Sequence, residues 1–323
     1  MTAAGAVNRS AARPTRPFRF GVGPGAIRVE SARDWSAFAR RVEDLGYSTL
    51  SVGDHLVGSH GPVAALAAAA AATSRLRIGA LTFCNDYFHP VRLAQEAATL
   101  DLLSDGRLEF GIGAGWMRAD YDRSGIPFDS AAVRIERMGE AIAVIKRLWA
   151  DGPCSFEGTH YRVALDGRPK PVQRPRPPIL VGGAGERVLA VAAREADIVG
   201  LNVSLRSGSL DAGIGLTGTL AATREKVAHV ERLAAGRPPV EVQIYVHHTV
   251  VGPNGRRVLE DAAAAFGLDP AEAAASPHVL AGSATEVVER LEERREALGI
   301  SYVSVSAEAV DQFAPVVARL RGR

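Results

Sequence analysis

Asp54 and His55 are the adjacent residues best suited to proton transfer in this chain, and they end the β-rich segment "STLSVGDH". A histidine titrates near neutral pH, so it can serve as a general acid or donate a hydrogen bond to a cofactor oxygen. Neighbouring residues of a strand point to opposite faces, so one side chain can enter a ligand site while the other anchors the loop. A purely structural histidine is the alternative.

A glycine-rich turn lies within "ILVGGAGERVLA", which begins at residue 179 and has the pattern of a strand, a turn and a helix. Glycines let the backbone approach a ligand, and the N–H groups that begin a helix favour an anion. A G-x-G-x-x-G dinucleotide fingerprint needs a third glycine, but Val188 stands in its place. The pattern therefore indicates a phosphate site of another fold, or a turn that only closes a loop.

A second turn of this kind, "GIGAGW", spans residues 111–116, and it lacks the third glycine because Arg118 occupies that position. Small residues such as Gly113 let a flat ring approach the backbone, and Trp116 could form the wall of a pocket. A tryptophan packed under a loop is the alternative.

Composition excludes several classes of function. Thirty-eight basic and thirty-six acidic residues leave a formal charge of +2, and no basic stretch with interleaved aromatic residues indicates a nucleic-acid partner. Cys84 and Cys154, the two cysteines, are too few for a disulfide framework or a four-cysteine zinc site. Metal-dependent barrel hydrolases use an H-x-H pair, whereas His247 and His248 are adjacent and point to opposite faces. We expect no metal.

Hydropathy predicts neither a membrane span nor a secretory signal. The apolar run "PVAALAAAAAAT" is shorter than the roughly 20 residues that cross a bilayer, and it predicts a helix packed closely on a sheet. Residues 1–17 lack the apolar core of a signal peptide. We expect a disordered leader there, with an organelle transit peptide as the alternative. The two cysteines, too few for a disulfide framework, make a reducing cytoplasm the expected compartment.

Short β-rich runs alternate with helical segments from residue 18 to the end of the chain. This repeat predicts a single (β/α)8 TIM barrel domain over residues 18–323, with a doubly wound open sheet as the alternative. The eight predicted strands are "FRFGVG", "STLSVGDH", "LRIGALTF", "RLEFGIGAG", "PILVGG", "DIVGLN", "VEVQIYVHHTVV" (240–251) and "SYVSVS". Two insertions interrupt the repeat: a hairpin and proline-rich stretch near 151–178, and a segment near 252–282 with a short helix at "LDPAEAAAS".

Ligand sites of such barrels lie at the carboxyl ends of the strands. Strand two ends in Asp54 and His55, strand three in "TFCND", strand four in "GAGW", strand five in "GGAG" and strand six in Asn202. We expect these residues to share one rim. A lysine, which an aldolase barrel needs, is absent from these strand ends.

Four stretches in order resemble the bacterial luciferase-like monooxygenase superfamily, from about Phe18 to Leu320. They are "HPVRLAQEAATLDLLSDGRLEFGIGAGW", "FEGTHYRV", "PKPVQRPRPPILVGG" and "AGSATEVVERLEERREALGI". The resemblance implies a barrel that holds FMN or the deazaflavin coenzyme F420 in its mouth. "SVGDH" and "GAGW" are most similar to the F420-dependent branch, including a set of actinobacterial enzymes.

The resemblance also implies roles for particular residues. It implies a phosphate site on the backbone of Gly182, Gly183, Ala184 and Gly185, and it implies that Asp54 or His55 lies beside the deazaflavin. It implies a non-prolyl cis peptide near Leu81–Thr82, against the back of the ring. The sugar-phosphate dehydrogenases of the group place a glutamate where this chain has Trp116, so their substrate does not carry over.

The function expected from this resemblance is an F420-dependent oxidoreductase that transfers a hydride at C5 of the cofactor to or from a small organic substrate. His55 would be the proton donor or acceptor and Asp54 would orient it or the ring, while Asn85 and Trp116 would shape the substrate side. Gly113 and Asn202 join the expected cofactor contacts. The alternatives are an FMN-dependent monooxygenase supplied by a separate reductase and a non-catalytic flavin-binding barrel. A homodimer through the early helices, near the alanine-rich segment 63–72, is also implied.

Overall fold

The computed structural model describes residues 15–25, 29–205, 207–208 and 212–323. Residues 1–14 of the expected leader therefore lie outside the described part of the chain. Thirteen strands are present in that part: β1 (Arg19–Val22), β2 (Thr49–Val52), β3 (Arg77–Ala80), β4 (Phe83–Cys84), β5 (Leu108–Gly113), β6 (Cys154–Glu157), β7 (Arg162–Leu165), β8 (Ile179–Gly183), β9 (Ile198–Leu201), β10 (Glu241–Val246), β11 (His248–Val251), β12 (Val279–Gly282) and β13 (Ile300–Val305).

A closed parallel barrel forms the centre of the molecule. Neighbouring strands follow the order β3-β2-β1-β13-β10-β9-β8-β5, and β3 pairs back with β5 to close the ring. The third position is split, because the short β4 continues β3 and also pairs with β5. The predicted (β/α)8 TIM barrel is confirmed, and the open doubly wound sheet is wrong because the sheet has no free edge.

Helices follow the barrel strands and pack around them. Eight of them alternate with the barrel strands, and α4, α8 and α9 lie in the loops between. In chain order they are α1 (Ala32–Asp44), α2 (Pro62–Ala72), α3 (Pro90–Leu103), α4 (Arg118–Ser124), α5 (Ala131–Trp149), α6 (Glu186–Glu195), α7 (Leu220–Leu233), α8 (Gly255–Phe266), α9 (Pro270–Ala275), α10 (Ala284–Leu298) and α11 (Val310–Leu320).

Local sequence explains where several helices begin. The Ser31 side chain accepts the N–H of Asp34 at the start of α1, and Ser283 forms a capping box with Glu286 at the start of α10. These contacts satisfy N–H groups that have no partner inside the helix. Pro62 begins the alanine-rich α2, whose short side chains let it pack closely on the barrel.

The main core lies between the barrel and its helices. Phe20, Leu50, Ile78, Phe110 and Val303 are fully buried there. A smaller cluster of Leu180, Ile198 and Tyr302 lies apart from it. Each of these three residues is next in the chain to a residue of the main core, and side chains alternate along a strand. The smaller cluster therefore faces the barrel interior.

Charged residues close the amino end of the barrel. Arg19 pairs with Glu241 at 2.7 Å and stacks over the Tyr302 ring at 3.6 Å, while Arg77 pairs with Glu109 at 2.8 Å. These residues begin or flank strands, so the polar network blocks that end. The ligand sites of such barrels lie at the opposite, carboxyl end.

The predicted seventh strand over 240–251 is wrong as one element. The barrel strand β10 ends at Val246, and β11 leaves it to pair with β12 in a separate two-stranded sheet. The backbone N–H groups of His247 and His248 both donate to the His278 carbonyl, at 2.9 and 3.3 Å. A contact with a residue thirty positions away breaks a strand whose own sequence pattern is continuous.

The two insertions differ in how well sequence anticipated them. Near 151–178, β6 and β7 form the predicted antiparallel hairpin. Near 252–282, α9 is the predicted short helix, capped by Asp269. The twelve-residue α8 was not predicted. Among the described residues, no helix is long and apolar enough to cross a membrane.

Candidate functional site

The carboxyl end of the barrel gathers the residues that sequence marked for chemistry. Asp54 and His55 follow β2, and the glycine turns follow β5 and β8. In parallel strands these ends lie on one rim. Among the described residues, no group of three or more histidine, cysteine or acidic side chains could hold a metal ion.

Asp54 is buried at this rim and anchors the neighbouring strand. Its carboxylate accepts the backbone N–H of Cys84 at 2.9 Å. Burial raises the pKa of Asp54 to about 6, although the Cys84 N–H opposes the shift. The Asp54 carboxyl group can therefore be either protonated or charged between mildly acidic and neutral pH.

His55 is held by Asp120 and not by Asp54, which corrects the expected role of Asp54 in orienting it. The Nδ1 atom of His55 lies 2.7 Å from Oδ2 of Asp120. Asp120 lies on the short helix α4 and is fully buried, while 27% of the His55 side chain is exposed. The carboxylate thus lies behind the ring, and the exposed part of the ring is left for a ligand.

Sequence reasoning missed Asp120, which does not stand at the end of a strand. It follows Trp116 by four residues, in "GWMRADY". Trp116 itself packs edge-on against the His55 ring, with ring centroids 5.6 Å apart. The structure therefore brings His55 and Trp116 together, as one rim requires.

Thr82 lies on a floor made of glycines from neighbouring strands. A Cβ added to Gly182 would lie 3.1 Å from Thr82 Cγ2, and one added to Gly113 would overlap Thr82 Oγ1. The Leu81–Thr82 peptide is cis, as the resemblance implied. The Thr82 side chain therefore packs directly on the backbone of these two glycines, and neither position has room for a larger side chain.

The turn after β8 presents the start of α6 without a side-chain cap. Gly185 is the N-cap residue and has no side chain to cap the helix, and a Cβ added there would meet nothing within 4 Å. The uncapped N–H groups and the helix dipole suit an anion such as phosphate. A Cβ on Gly183 would overlap Val188, so Val188 fills the space beside this glycine. The glycines around the mouth thus fit a flat ring with a phosphate.

Asn202 belongs to a separate polar cluster at the end of β9. Its Oδ1 accepts the Val203 N–H at 2.8 Å and lies 2.7 Å from Nε2 of His247. An amide oxygen only accepts, so Nε2 of His247 carries the proton. Burial lowers the pKa of His247 to about 4, so the ring is neutral at ordinary pH. His247 was named in sequence only as evidence against a metal pair.

Lys226 completes this cluster from α7. Its ammonium donates to the carbonyl oxygens of Asn202 and Thr217, at 2.8 and 2.6 Å. Burial lowers its pKa to about 8. Its contacts hold the loop after β9 in place.

Asn85 is nearly inaccessible, with 1% of the residue exposed. Its amide donates to the Tyr161 hydroxyl at 3.4 Å, so it links the rim to the hairpin of β6 and β7. Asn85 was expected to face the substrate, but it has little exposed surface with which to contact one. Tyr161, which sequence did not select, is the residue that the hairpin brings beside this part of the rim.

Buried polar side chains lie behind the rim. The Cys84 thiol is 3.4 Å from the Tyr121 hydroxyl, which donates to Asp86 at 3.0 Å. A Cβ on Gly115, whose φ is +75°, would lie 2.8 Å from the Cys84 sulfur and overlap the Tyr121 hydroxyl. Glycine at this position thus gives both the left-handed backbone and the space that this contact requires.

The model of the luciferase-like monooxygenase family matches residues 15–316. The chain belongs to this family, as the four sequence stretches indicated.

Relatives with assigned names include users of two cofactors. An F420-dependent glucose-6-phosphate dehydrogenase of Beutenbergia cavernae is 33% identical over 177 residues, 51% of this chain and 51% of that protein. The oxygenase component of a flavin-dependent trigonelline monooxygenase of Acinetobacter baylyi is 36% identical over 110 residues, 34% of this chain and 30% of that protein. The aligned part of this chain thus spans about half the length of its curated relatives, or less.

The solved structures agree on the fold. The coenzyme F420-dependent tetrahydromethanopterin reductase of Methanopyrus kandleri superposes with a TM-score of 0.73 at 20% identity, over 95% of this chain and 99% of that one. At 20% sequence identity, this superposition shows that the two proteins share the barrel fold, and no more.

Proposed function

We propose that this protein is an oxidoreductase that binds coenzyme F420 at the carboxyl end of the barrel and transfers a hydride to or from a small organic substrate. The observation that carries the proposal is the glycine floor around Thr82, together with the uncapped start of α6 beside it. The F420-dependent relatives support the choice of cofactor. When bound, the deazaflavin supplies the hydride-carrying carbon C5.

The chain's own residues hold and orient this group. Gly182 to Gly185 and the first turn of α6 are suited to the phosphate, because unpaired N–H groups and the helix dipole favour negative charge there. Thr82 and Gly113 would support the ring, because they form the narrow floor of the mouth. Holding both reactants in a fixed orientation supplies much of the rate acceleration in cofactor enzymes.

His55 is the residue proposed to move a proton. Its Nδ1 faces Asp120, so Nε2 is the ring atom left to give a proton to, or accept one from, a substrate oxygen. The Trp116 ring packs against one side of the His55 ring. The pair would provide an acid–base group beside an apolar surface.

The second candidate is an FMN-dependent monooxygenase that receives reduced flavin from a separate reductase. The flavin-dependent and FMNH2-dependent monooxygenases among the relatives favour it. Both candidates use the same floor and the same phosphate turn, so the two differ in the ring that binds.

The test is to titrate the purified, cofactor-free protein with F420 and FMN in parallel, following the absorbance and fluorescence of each. We expect saturable F420 binding that is tighter than FMN binding. Tight FMN binding without F420 binding would replace the first candidate by the second. Binding of either without turnover of any organic substrate would favour the non-catalytic barrel.

A further inference from the structure

Asp120 collects hydrogen bonds from two directions behind the rim. Its Oδ2 lies 2.7 Å from Nδ1 of His55 and accepts the Tyr87 hydroxyl at 3.1 Å. Its Oδ1 accepts the backbone N–H groups of Leu56 and Val57, at 3.1 and 2.9 Å. The carboxylate therefore fastens the loop that carries His55 as well as the ring.

We propose that Asp120 and Tyr87 are positioning residues that fix His55 as the Nδ1–H tautomer, with the Nε2 lone pair facing the mouth. The proposal rests on the proposed acid–base role of His55. The three other groups around Asp120 are donors, and an ionised carboxylate can only accept. The His55 nitrogen that faces it must then carry the proton, which leaves the lone pair on Nε2.

Tyr87 has a different part in this arrangement from Asp120. Burial raises the pKa of Tyr87, so its hydroxyl keeps its proton and donates. It shares Oδ2 with His55, so it takes up part of the negative charge that would otherwise act on the imidazole. Its hydroxyl thus holds Oδ2 of Asp120 in place as the acceptor for Nδ1 of His55.

Two other ionisable side chains, those of Asp54 and Cys84, lie beside His55, Asp120 and Tyr87. Asp54 is adjacent to His55 and interacts with both His55 and Asp120. The Cys84 thiol contacts the Tyr87 hydroxyl, and burial raises the pKa of Cys84 to about 11. The thiol is therefore neutral at ordinary pH. The Trp116 ring packs against His55 without charge.

The two variants should differ in the tautomer that they leave. Asp120→Asn offers an amide whose NH2 would face the ring, because its oxygen is needed by the backbone N–H groups. That exchange favours the Nε2–H tautomer and should lower turnover by about 10²-fold or more. Tyr87→Phe should keep the Nδ1–H tautomer, because Asp120 still accepts from that nitrogen, and should lower turnover much less than Asp120→Asn.

The experiment is nitrogen-15 NMR of the histidine rings in the cofactor-free protein, with His55 assigned from the His55→Gln variant and titrated from pH 5 to 9. Tyr47→Phe is the matched control, since the Tyr47 hydroxyl also donates to a buried acceptor, the Val310 carbonyl. We expect a protonated Nδ1 in the wild type, in Tyr87→Phe and in the control, and a protonated Nε2 in Asp120→Asn. If the protein denatures in one variant, the wild-type tautomer still decides.

Two results would overturn the proposal. One is a wild-type ring protonated at Nε2, and the other is a ring that stays protonated at Nδ1 in a folded Asp120→Asn variant. The NMR measurement needs neither cofactor nor substrate. The predicted tautomer in a protein that turns over nothing would therefore refute the proposed function and leave the positioning role intact.

Discussion

The carboxylate of Asp120 lies 2.7 Å from Nδ1 of His55, although 65 positions separate the two residues in the chain. The helix α4 after "GAGW" brings the carboxylate behind the loop that follows β2 and carries His55. The imidazole therefore has one nitrogen fixed by protein and one left at the mouth.

Replacing His55 by alanine should lower turnover by about 10²-fold or more for any substrate that the wild type converts, because a positioned acid–base group is lost. The matched control is His60→Ala, because His60 is an exposed histidine of the same loop and its ring lies against Trp35. The measurement is steady-state turnover under saturating cofactor. An unchanged rate in His55→Ala would remove the acid–base assignment while leaving the fold and the cofactor site in place.

The floor at Thr82 predicts a steric effect at Gly113. Gly113→Ala would force its Cβ against Thr82 Oγ1, so we expect lower stability by about 1–3 kcal/mol and weaker cofactor binding. Adding Thr82→Ala should restore part of both, because it removes the obstructing atom. Thermal unfolding and cofactor titration of the two single variants and the double variant measure this coupling.

Gly139→Ala is the control for that series. Gly139 lies within α5 and a Cβ there would meet nothing within 4 Å. Alanine should stabilise the helix by about 0.5–1 kcal/mol and leave cofactor binding unchanged. Equal losses of binding in Gly113→Ala and Gly139→Ala would show that the floor at Thr82 has no special role.

Asp54 makes stability depend on pH. Burial raises the pKa of its carboxyl to about 6 from an ordinary 3.8, so between these values the folded protein binds more protons than the unfolded chain. The free energy of unfolding should therefore fall as pH rises through this window. Asp54→Asn removes the ionisable group and should raise stability by about 1–3 kcal/mol at pH 7 to 8, with the gain vanishing near pH 4.

Denaturant unfolding of the wild type and Asp54→Asn at several pH values measures this effect. The asparagine oxygen can still accept the Cys84 N–H, so the comparison isolates the charge. A difference between the two proteins that stays constant from pH 4 to 8 would contradict the assigned burial effect.

Sequence could predict the barrel and most of its rim because both depend on local patterns. Alternating strands and helices determine the (β/α)8 order, and strand ends in such a barrel meet at one rim. His55, Trp116 and the turn at Gly182 to Gly185 were found in this way. That these residues share the carboxyl end of the barrel follows from residue type and position in the chain alone.

Features fixed by distant contacts could not be predicted. Asp120 and Tyr87 lie on short helical turns between strands, and only the folded chain places them around His55. The break at His247 depends on the His278 carbonyl, while the strand pattern of the sequence continues through this position.

By contrast, the helix α8 could have been predicted from the sequence, since Ala262 and Ala263, which are buried, lie on one side of "GRRVLEDAAAAF".

The most direct test of the cofactor site is to titrate the wild type, Gly185→Asp and Gly185→Asn with F420. Either side chain can cap α6, since Gly185 has an extended backbone and open space, so both variants should unfold at a slightly higher temperature. We predict that the aspartate variant binds F420 at least about tenfold more weakly, because its charge repels the phosphate, and that the asparagine variant stays closer to the wild type. Equal affinity of the aspartate variant and the wild type, or no F420 binding by the wild type, would contradict the account.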